Sequence, residues 1–304
     1  MPKKLHQKLN GKEGFQKPCG LAPSRVRTFF GMPKNVHEKL VAQKSLPLHS
    51  TDCMAKELER IIDKSFRAAC RVLFKEEIGP LADFEQYLLR YAYCISEAKS
   101  AISGKPVYFS AEYRPEAKFV SFDEQEKLRN AKIGANDIKD IDSLFRASEE
   151  IAYYCGNKAF GNSQQNSGFD NIFDSSFVYK SHEVMKGEHI ALSNLIINSK
   201  YLFGCSSVGD SLFCVNTSEQ SWLTRAFECG MTYFSSDLYY CYYLKHCQNC
   251  MFSFNLISKR DCIGNNQLTH EKYELMKTDL VRQIVDVLRQ KKNAPVLPGL
   301  ITRD

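Results

Sequence analysis

The sequence predicts an α+β protein with an N-terminal basic arm, a small helical domain, and a C-terminal parallel β-solenoid (β-helix) capped by an amphipathic helix. Three observations predict it. Basic residues are concentrated before Lys44, helical periodicity follows, and after residue 168 short apolar segments recur ten to twelve residues apart. The predicted boundaries are 1–49 for the arm, 50–156 for the mostly helical domain, 157–168 for a linker, 169–268 for the solenoid, 269–291 for the capping helix and 292–304 for a tail.

The overall composition is that of an ordinary globular protein. The chain has 304 residues, of which 43% are hydrophobic and 25% charged. It has no apolar run of the ~18 residues that a membrane span requires, and its basic N-terminus is not followed by the apolar core of a secretory signal. We therefore expect a cytoplasmic protein without a membrane partner. Its twelve cysteines are expected to be thiols, because cytosolic redox buffers keep them reduced.

The arm carries the largest charge asymmetry. Residues 1–44 contain ten Lys or Arg against Glu13 and Glu38, a net +8; since the whole chain is +6, the remainder sums to −2. Basic arms bind nucleic acid because each neutralised phosphate releases a counterion, and Phe29 and Phe30 are suited to stack on bases. RNA or a nucleoprotein is one expected partner; a solvated leader or a protein-docking segment are the alternatives. The candidate nucleic-acid-binding residues are Lys3, Lys4, Lys8, Lys12, Lys17, Arg25, Arg27, Phe29, Phe30 and Lys34.

Helical spacing predicts most of the middle segment. A first helix is expected from Cys53 to the Ile-Gly-Pro at 78–80, and a second over 84–102. The alternating residues 107–113 predict a strand. Ser121 and Glu124 form a capping-box pattern that opens a third, short helix, and a fourth is expected over 137–155. The apolar stripes of these helices are expected to be core.

The solenoid prediction depends on a repeat. When the chain is shifted by 21 residues, Cys229 falls on Cys250 and Cys241 falls on Cys262. In a parallel solenoid, equivalent positions stack about 4.8 Å apart, so these residues are predicted to form interior columns. The amphipathic segment 269–288 is then expected to cover the last coil, with Tyr273, Met276, Leu280, Ile284, Val287 and Leu288 on its apolar face.

The segment 239–256, "YYCYYLKHCQNCMFSFNL", raises a metal alternative. It contains Cys247 and Cys250 in a Cys-x-x-Cys, with Cys241 and His246 nearby. A structural zinc site normally requires four convergent ligands, whereas a solenoid would turn these side chains in different directions. We therefore predict no metal and no cofactor. The outward members of Tyr239, Tyr240, Tyr242 and Tyr243 are expected to form an aromatic patch that offers a surface to a protein partner.

The C-terminal third contains two distinctive stretches, "DSSFVYKSHEV" at 174–184 and "CQNCMFSFNLISKRDCIGNNQLTHEKYE" at 247–274. In these stretches it resembles an uncharacterised family of cysteine-rich repeat proteins that is abundant in candidate-phylum bacteria and has relatives in archaea. The resemblance covers roughly residues 170–275 and is most specific at 247–274. Ser253 stands where the family tends to have a third Cys, Leu268 where it has an aromatic residue, and its N-terminal Cys-pair region is missing here. The resemblance implies a β-helix-like repeat fold and no established activity.

These observations favour a non-enzymatic binding or scaffold protein, associated with RNA or a nucleoprotein through its arm. The first alternative is a β-helix enzyme acting on a polysaccharide or glycan, which would require paired carboxylates; the register forces none together, although Asp174 with Glu183, or Asp237 with His246, are candidates. The second alternative is a metal or redox protein that uses the Cys-rich segment. No catalytic residue is predicted.

Overall fold

A computed structural model describes residues 51–114, 116–215, 218–221, 224–230, 232 and 235–295. It confirms the predicted α+β class, because a parallel β-solenoid of about eight coils follows an N-terminal helix and precedes a C-terminal one. The arm and all ten candidate residues in it lie outside the described residues. The helices are α1 (Thr51–Phe74), α2 (Glu85–Leu88), α3 (Ile141–Ile151) and α4 (His270–Lys291), with 3₁₀ turns at Leu81–Phe84, Phe122–Leu128 and Ala135–Asp137.

The strands fall into an N-terminal group and the solenoid. The first group is β1 (Ser96–Lys99), β2 (Pro106–Phe109), β3 (Phe119–Ser121) and β4 (Tyr154–Gly156). The solenoid strands are β5 (Ala159–Phe160), β6 (Ser167–Phe173), β7 (Ser176–Met185), β8 (Glu188–Ala191), β9 (Asn194–Ile197), β10 (Lys200–Phe203), β11 (Ser206–Gly209), β12 (Leu212–Val215), β13 (Ser218–Ser221), β14 (Thr224–Phe227), β15 (Ser236–Tyr239), β16 (Gln248–Met251), β17 (Arg260–Ile263) and β18 (Asn266–Gln267). The segment 157–168, predicted as a linker, thus includes β5 and the start of β6.

One coil of the solenoid is twelve residues long. Glu188 pairs with Lys200, which pairs with Leu212, in three parallel strands. A second parallel series, β7–β9–β11–β13, repeats at the same interval. The predicted 21-residue register is therefore wrong: Cys250 stacks on Cys262, one coil away.

The backbone itself has a period of three. From Asn171 to Phe213, and again from Asp237 to Asp261, a left-handed residue recurs at intervals of three, with φ of 45–59° except at Gly204. L-residues with a branched Cβ are poorly tolerated in this conformation. In these two ranges no left-handed position is occupied by Val, Ile, Thr or Pro. Each left-handed residue makes a corner, so four three-residue sides close one coil.

The residue after each corner points into the solenoid, and from Ile172 to Ser211 large and small interior residues alternate. Val178, Val184, Ile190 and Ile196 are fully buried at intervals of six. Between them lie small residues such as Ser193, whose Oγ donates to Ala191 O (2.7 Å) and accepts from Cys205 N (3.0 Å) one coil later. The small hydroxyls therefore satisfy backbone groups that the narrow interior would otherwise leave unpaired.

The helix α1, which corresponds to the first predicted helix, packs along the solenoid over several coils. Phe66 meets Phe203 at 5.2 Å between ring centroids, and Phe74 meets Phe227 at 4.7 Å. Near the C-terminal end of α1, Tyr239 Oη donates to Leu73 O (2.7 Å). The helix thus buries the outward apolar residues of one side, and it contributes its own core residues to the same cluster.

The predicted second helix is wrong. Residues 84–102 contain only the end of a 3₁₀ turn, the short α2 and then β1, which pairs antiparallel with β2. Tyr93 N donates to Asn194 Oδ1 (3.0 Å), and Tyr93 O accepts from His182 Nε2 (3.1 Å). These side chains of the solenoid take backbone groups that a helix would have paired internally, so tertiary contacts override the helical pattern. The predicted strand 107–113 shortens to β2.

The third and fourth predicted helices are present, but one apolar stripe is not core. The capping box of Ser121 and Glu124 opens the 3₁₀ turn at 122–128, and α3 occupies the middle of the predicted 137–155. In and just before α3, however, Ile138, Ile141 and Phe145 are 51%, 61% and 65% exposed. Leu144 and Ile151 are half-buried, Ala152 is exposed, and no residue of α3 is fully buried, so the prediction that this stripe is core is wrong.

At the C-terminal end β18 pairs antiparallel with β17, which closes the edge of the last coil. The helix α4 follows, with the Thr269 hydroxyl as its N-cap, and packs beside β17. Its buried residues are Tyr273, Val281, Val285 and Leu288. The buried face is therefore rotated from the predicted one, and Met276, predicted to be covered, is exposed.

Candidate binding surface

The cysteines of the solenoid are interior packing residues. Cys205, Cys229, Cys241 and Cys247 occupy the small positions that serine occupies elsewhere, and all four are fully or almost fully buried. Cys241 Sγ donates to Tyr239 O (3.3 Å), the same kind of bond that the serines make. The question raised by the 239–256 segment is therefore answered by burial: its thiols line the inside of the solenoid.

The Cys-x-x-Cys does not converge on one point. Cys247 Sγ bonds to Lys245 O and Leu256 O, whereas Cys250 Sγ bonds to Gln248 O. His246 is exposed on the outside of the coil. Among the described residues, no group of three or more His, Cys, Asp or Glu side chains is arranged to hold a metal ion. That the purified protein carries no stoichiometric zinc or iron stays a prediction, which elemental analysis tests.

Burial also removes the reactivity of these thiols. Transfer of a thiolate into an apolar interior is costly, so burial raises the pKa of Cys229 and of Cys250 to about 12. Burial also raises the pKa of Cys241 well above its ordinary value. Since the thiolate is the nucleophile, burial lowers the reactivity of these thiols in the folded protein.

The four tyrosines at 239–243 do not form the predicted outward patch. Tyr239 and Tyr240 are only 5% and 3% exposed, because they lie in the cluster that α1 and α4 cover. Tyr242 is half-buried, and Tyr243 is 39% exposed. Of the four, Tyr243 is the most exposed.

The outside of the solenoid is divided lengthwise into a covered and an open side. In coil 188–199 the covered side presents His189, Ala191, Leu192 and Asn194. Each of these belongs to a row of residues at twelve-residue intervals, and among the described residues of the four rows between 177 and 263 only Arg225 is exposed. The other side presents Glu188, Leu195, Ile197 and Asn198. We call these residues, and those at twelve-residue intervals from them, the open face; between 183 and 260 none of its described residues is buried.

The open face contains both apolar and charged side chains. The large hydrophobic side chains that the described part of the solenoid exposes all lie on it: Met185, Leu195, Ile197, Leu212, Tyr243 and Ile257. Charges of both signs are interspersed, and Glu188 pairs with Lys200 at 2.5 Å across adjacent coils. Asn198 donates a hydrogen bond to Asp210 in the same manner. These regular rows form an extended surface along the solenoid.

The buried side-chain carboxylates of the N-terminal region have structural roles. Asp170 is 1% exposed; it accepts from Lys158 Nζ (2.9 Å), Lys158 N (3.2 Å) and Ser110 Oγ (3.2 Å). Glu124, 5% exposed, accepts hydrogen bonds from Ser100 Oγ and Ser121 N. Asp170 ties the start of the solenoid to the segments before it, and Glu124 ties two segments before the solenoid to each other.

One acid of each pair proposed from the sequence contacts a different residue. Asp174 accepts a hydrogen bond from Asn162 N (2.9 Å), and Asp237 lies 3.6 Å from Arg225.

A groove of about 590 Å³ lies between residues 82–90 and the end of α4. Two of its charged groups pair with each other, Lys292 with Asp83 at 3.1 Å.

Sequence reasoning missed two buried polar residues. His182 and Asn194 are paired in adjacent coils and are 4% and 1% exposed, yet His182 Nδ1 and Asn194 Nδ2 are without a hydrogen-bond partner. Their other polar atoms fix the backbone of Tyr93, as described above. The available signal was their separation of twelve residues, which becomes informative only when the coil length is known.

No membrane-spanning candidate is found among the helices of the described residues, since none is both long and apolar enough. No protein-family model matches the chain, and no curated protein is significantly similar to it. The resemblance of residues 170–275 to the cysteine-rich repeat proteins therefore stays a prediction, and the function has to be argued from the residues themselves.

Proposed function

We propose that this chain is a non-enzymatic binding or scaffold protein that associates with RNA or a nucleoprotein through its basic arm. The observation that carries the proposal is the separation of charge: +8 in residues 1–44 against −2 in the remainder. A cationic segment of this kind binds phosphates without reading bases.

The body of the protein supports a non-enzymatic role. The thiols discussed above are buried and protonated, and the buried acids Asp170 and Glu124 are engaged in hydrogen bonds that hold segments together. The exposed surface of the solenoid consists of long rows of outward side chains and does not form a pocket among the described residues. Such a surface suits the alignment of macromolecules better than the enclosure of a small substrate.

A matched pair of variants tests the proposal in the full chain. In the first, five arm lysines are changed to Gln: Lys3, Lys4, Lys8, Lys12 and Lys17. In the second, five exposed lysines of the body are changed to Gln: Lys56, Lys64, Lys99, Lys132 and Lys139. Both variants lose the same charge, so a difference between them reports where the phosphates are contacted.

Binding to a fluorescent single-stranded RNA is measured at several salt concentrations. We expect the arm variant to lose affinity and to lower the salt slope by about 0.7 for each phosphate contact that is removed, while the body variant stays close to wild type. Changing Phe29 and Phe30 to Ala should weaken single-strand binding, by about 1–3 kcal/mol per stacked base, more than duplex binding. Absent or salt-insensitive binding, or an equal loss in both lysine variants, would exclude the arm as the RNA contact.

A further inference from the structure

The open face has an apolar patch that the fold itself does not use. Phe173 pairs with Met185, and Met185 pairs with Ile197, so the three residues follow one another in adjacent coils; Leu195 lies beside them. Met185, Leu195 and Ile197 are 47%, 42% and 53% exposed. They point away from the interior, whose core is complete without them.

The neighbouring coil shows that these side chains are optional for folding. One coil later the equivalent positions are Ser207 and Gly209, and a Cβ added to Gly209 would meet only open space. The backbone there has the same strand pairing and the same left-handed corners. A contiguous apolar patch on a surface that accepts Ser and Gly indicates a contact with another molecule.

The charges around the patch identify the occupant as a second copy. Glu183 and Lys186 flank Met185 with opposite signs, and Glu188 is paired with Lys200. A surface with this balance does not repel its own copy, and an isologous pair can set Glu183 of one chain against Lys186 of the other.

The second exposed apolar patch lacks this balance. Ile138, Ile141 and Phe145 are surrounded by five acids against Lys139 and Arg146; the acids are Asp137, Asp140, Asp142, Glu149 and Glu150. Two such surfaces would bring like charges together. Self-association is therefore favoured at the open face and disfavoured at α3.

The dimensions of the open face suit a weak, concentration-dependent dimer. About eight coils at roughly 4.8 Å give a length of about 38 Å, and the one three-residue side that carries the patch gives a width of about 10 Å at about 3.3 Å per residue. The resulting area, at most roughly 380 Å² per partner, is below the ~800 Å² of a standard interface and is in the range of transient contacts. Because both copies have the same coil spacing, the rows of one remain in step with the rows of the other.

We propose that two copies of this chain associate through their open faces, with the patch of Phe173, Met185, Leu195 and Ile197 at the centre of the contact. Such a dimer would contain two arms. The proposal does not depend on nucleic-acid binding, because the patch and its charge balance belong to the solenoid alone.

Sedimentation equilibrium of the full chain tests the proposal, after nuclease treatment and in about 0.5 M NaCl, so that RNA cannot bridge two arms. Between about 1 and 100 μM the mass is expected to rise from 34.8 kDa toward twice that value. Apolar contacts persist in salt, so the association should survive these conditions.

Variants locate the contact. The double substitution Met185→Lys with Ile197→Lys should raise the dissociation constant at least about 100-fold, since it would place four charges in the centre of the dimer. Ile141→Lys on α3, an equally exposed isoleucine, should leave it unchanged. Circular dichroism checks that each variant is folded, and Ile197→Glu replaces the double variant if that one is not.

Three results would overturn the proposal. A wild-type chain that stays at 34.8 kDa over the whole range does not self-associate. Dissociation by Ile141→Lys, but not by the open-face variants, would place the interface on α3. A dimer that disappears on nuclease treatment would be held together by RNA and not by the patch.

Discussion

Removing one interior hydroxyl tests how the solenoid pairs its backbone. Ser193 is 2% exposed, and its Oγ accepts from Cys205 N and donates to Ala191 O. In Ser193→Ala the carbonyl of Ala191 keeps a second donor, Gly204 N at 3.1 Å, whereas the Cys205 N–H loses the acceptor described above. One buried N–H left unsatisfied costs about 1–3 kcal/mol, so this is the expected loss in the free energy of unfolding.

A second substitution at the same position separates the hydrogen bond from the volume. Cysteine occurs at the equivalent position of other coils, at Cys205, Cys229 and Cys241, and its sulfur is a weak hydrogen-bond partner. Ser193→Cys should therefore be less destabilising than Ser193→Ala. Ser176→Ala, at an outward and half-buried position, serves as the control and should change stability by less than about 0.5 kcal/mol.

Urea unfolding followed by circular dichroism measures the three differences in stability. The reasoning is refuted if Ser193→Ala is no less stable than Ser176→Ala, because the interior hydroxyl would then contribute nothing. It is also refuted if Ser193→Cys is the least stable of the three, since cysteine would then not substitute for serine in this row.

Three further outcomes follow from corner conformation, thiol burial and charge. Ser258→Val places a branched Cβ at φ 53° and should cost about 1–2 kcal/mol in urea unfolding, whereas Ile257→Val at the adjacent extended position should be nearly neutral. In the native protein at about pH 8, a thiol reagent followed by peptide mapping should label the exposed Cys94, while the buried solenoid thiols should react only after unfolding. Burial opposes the ionisation of Asp261, but hydrogen bonds from Asn249 and His270 prevail and lower its pKa. Its carboxylate therefore stabilises the fold at pH values above the unfolded pKa of about 3.9, and this stabilisation is lost as the pH falls through the lower folded pKa. Asp261→Asn should therefore be destabilising near neutral pH and nearly neutral at about pH 2; an equal loss at both would contradict this account.

The sequence predicts a solenoid correctly but the wrong coil length, and the reason is geometric. Inward and outward positions repeat every three residues, so any shift by a multiple of three brings like residues together. Twenty-one residues are seven such triplets. A shift by 21 residues therefore aligned Cys229 with Cys250, although these two residues follow different corners of the coil. Twelve is four triplets and closes the coil. The restriction that could have shown the period is the absence of Val, Ile and Thr at the corner positions, since these residues are strained there.

The helix prediction for residues 84–102 failed because tertiary contacts compete with the local sequence pattern. Residues 84–102 have helical spacing, but His182 and Asn194 bind the backbone of Tyr93 and so end the helix early. Neither residue is near Tyr93 in sequence, so no local pattern could reveal the contact. The exposed half of the α3 stripe is the opposite case: Ile141 and Phe145 have the spacing of core residues, but the chain does not cover them.

The high cysteine content follows from the narrow interior and carries no functional information by itself. A twelve-residue coil has interior space for a large residue and then a small one, and the small one has to meet a nearby carbonyl. Serine and cysteine both fit that requirement, which accounts for Cys205, Cys229, Cys241 and Cys247; the other solenoid cysteines, Cys214, Cys250 and Cys262, are buried at positions of the large row.

The fold thus fixes the interior and corner positions, but it leaves the outward rows of the open face free to vary. Ser207 and Gly209 show that polar and small residues are accepted there, whereas Ile197 and Met185, one and two coils before Gly209, are apolar. Since folding does not require that difference, binding is its most direct explanation, and the open face and the arm are where function should be sought.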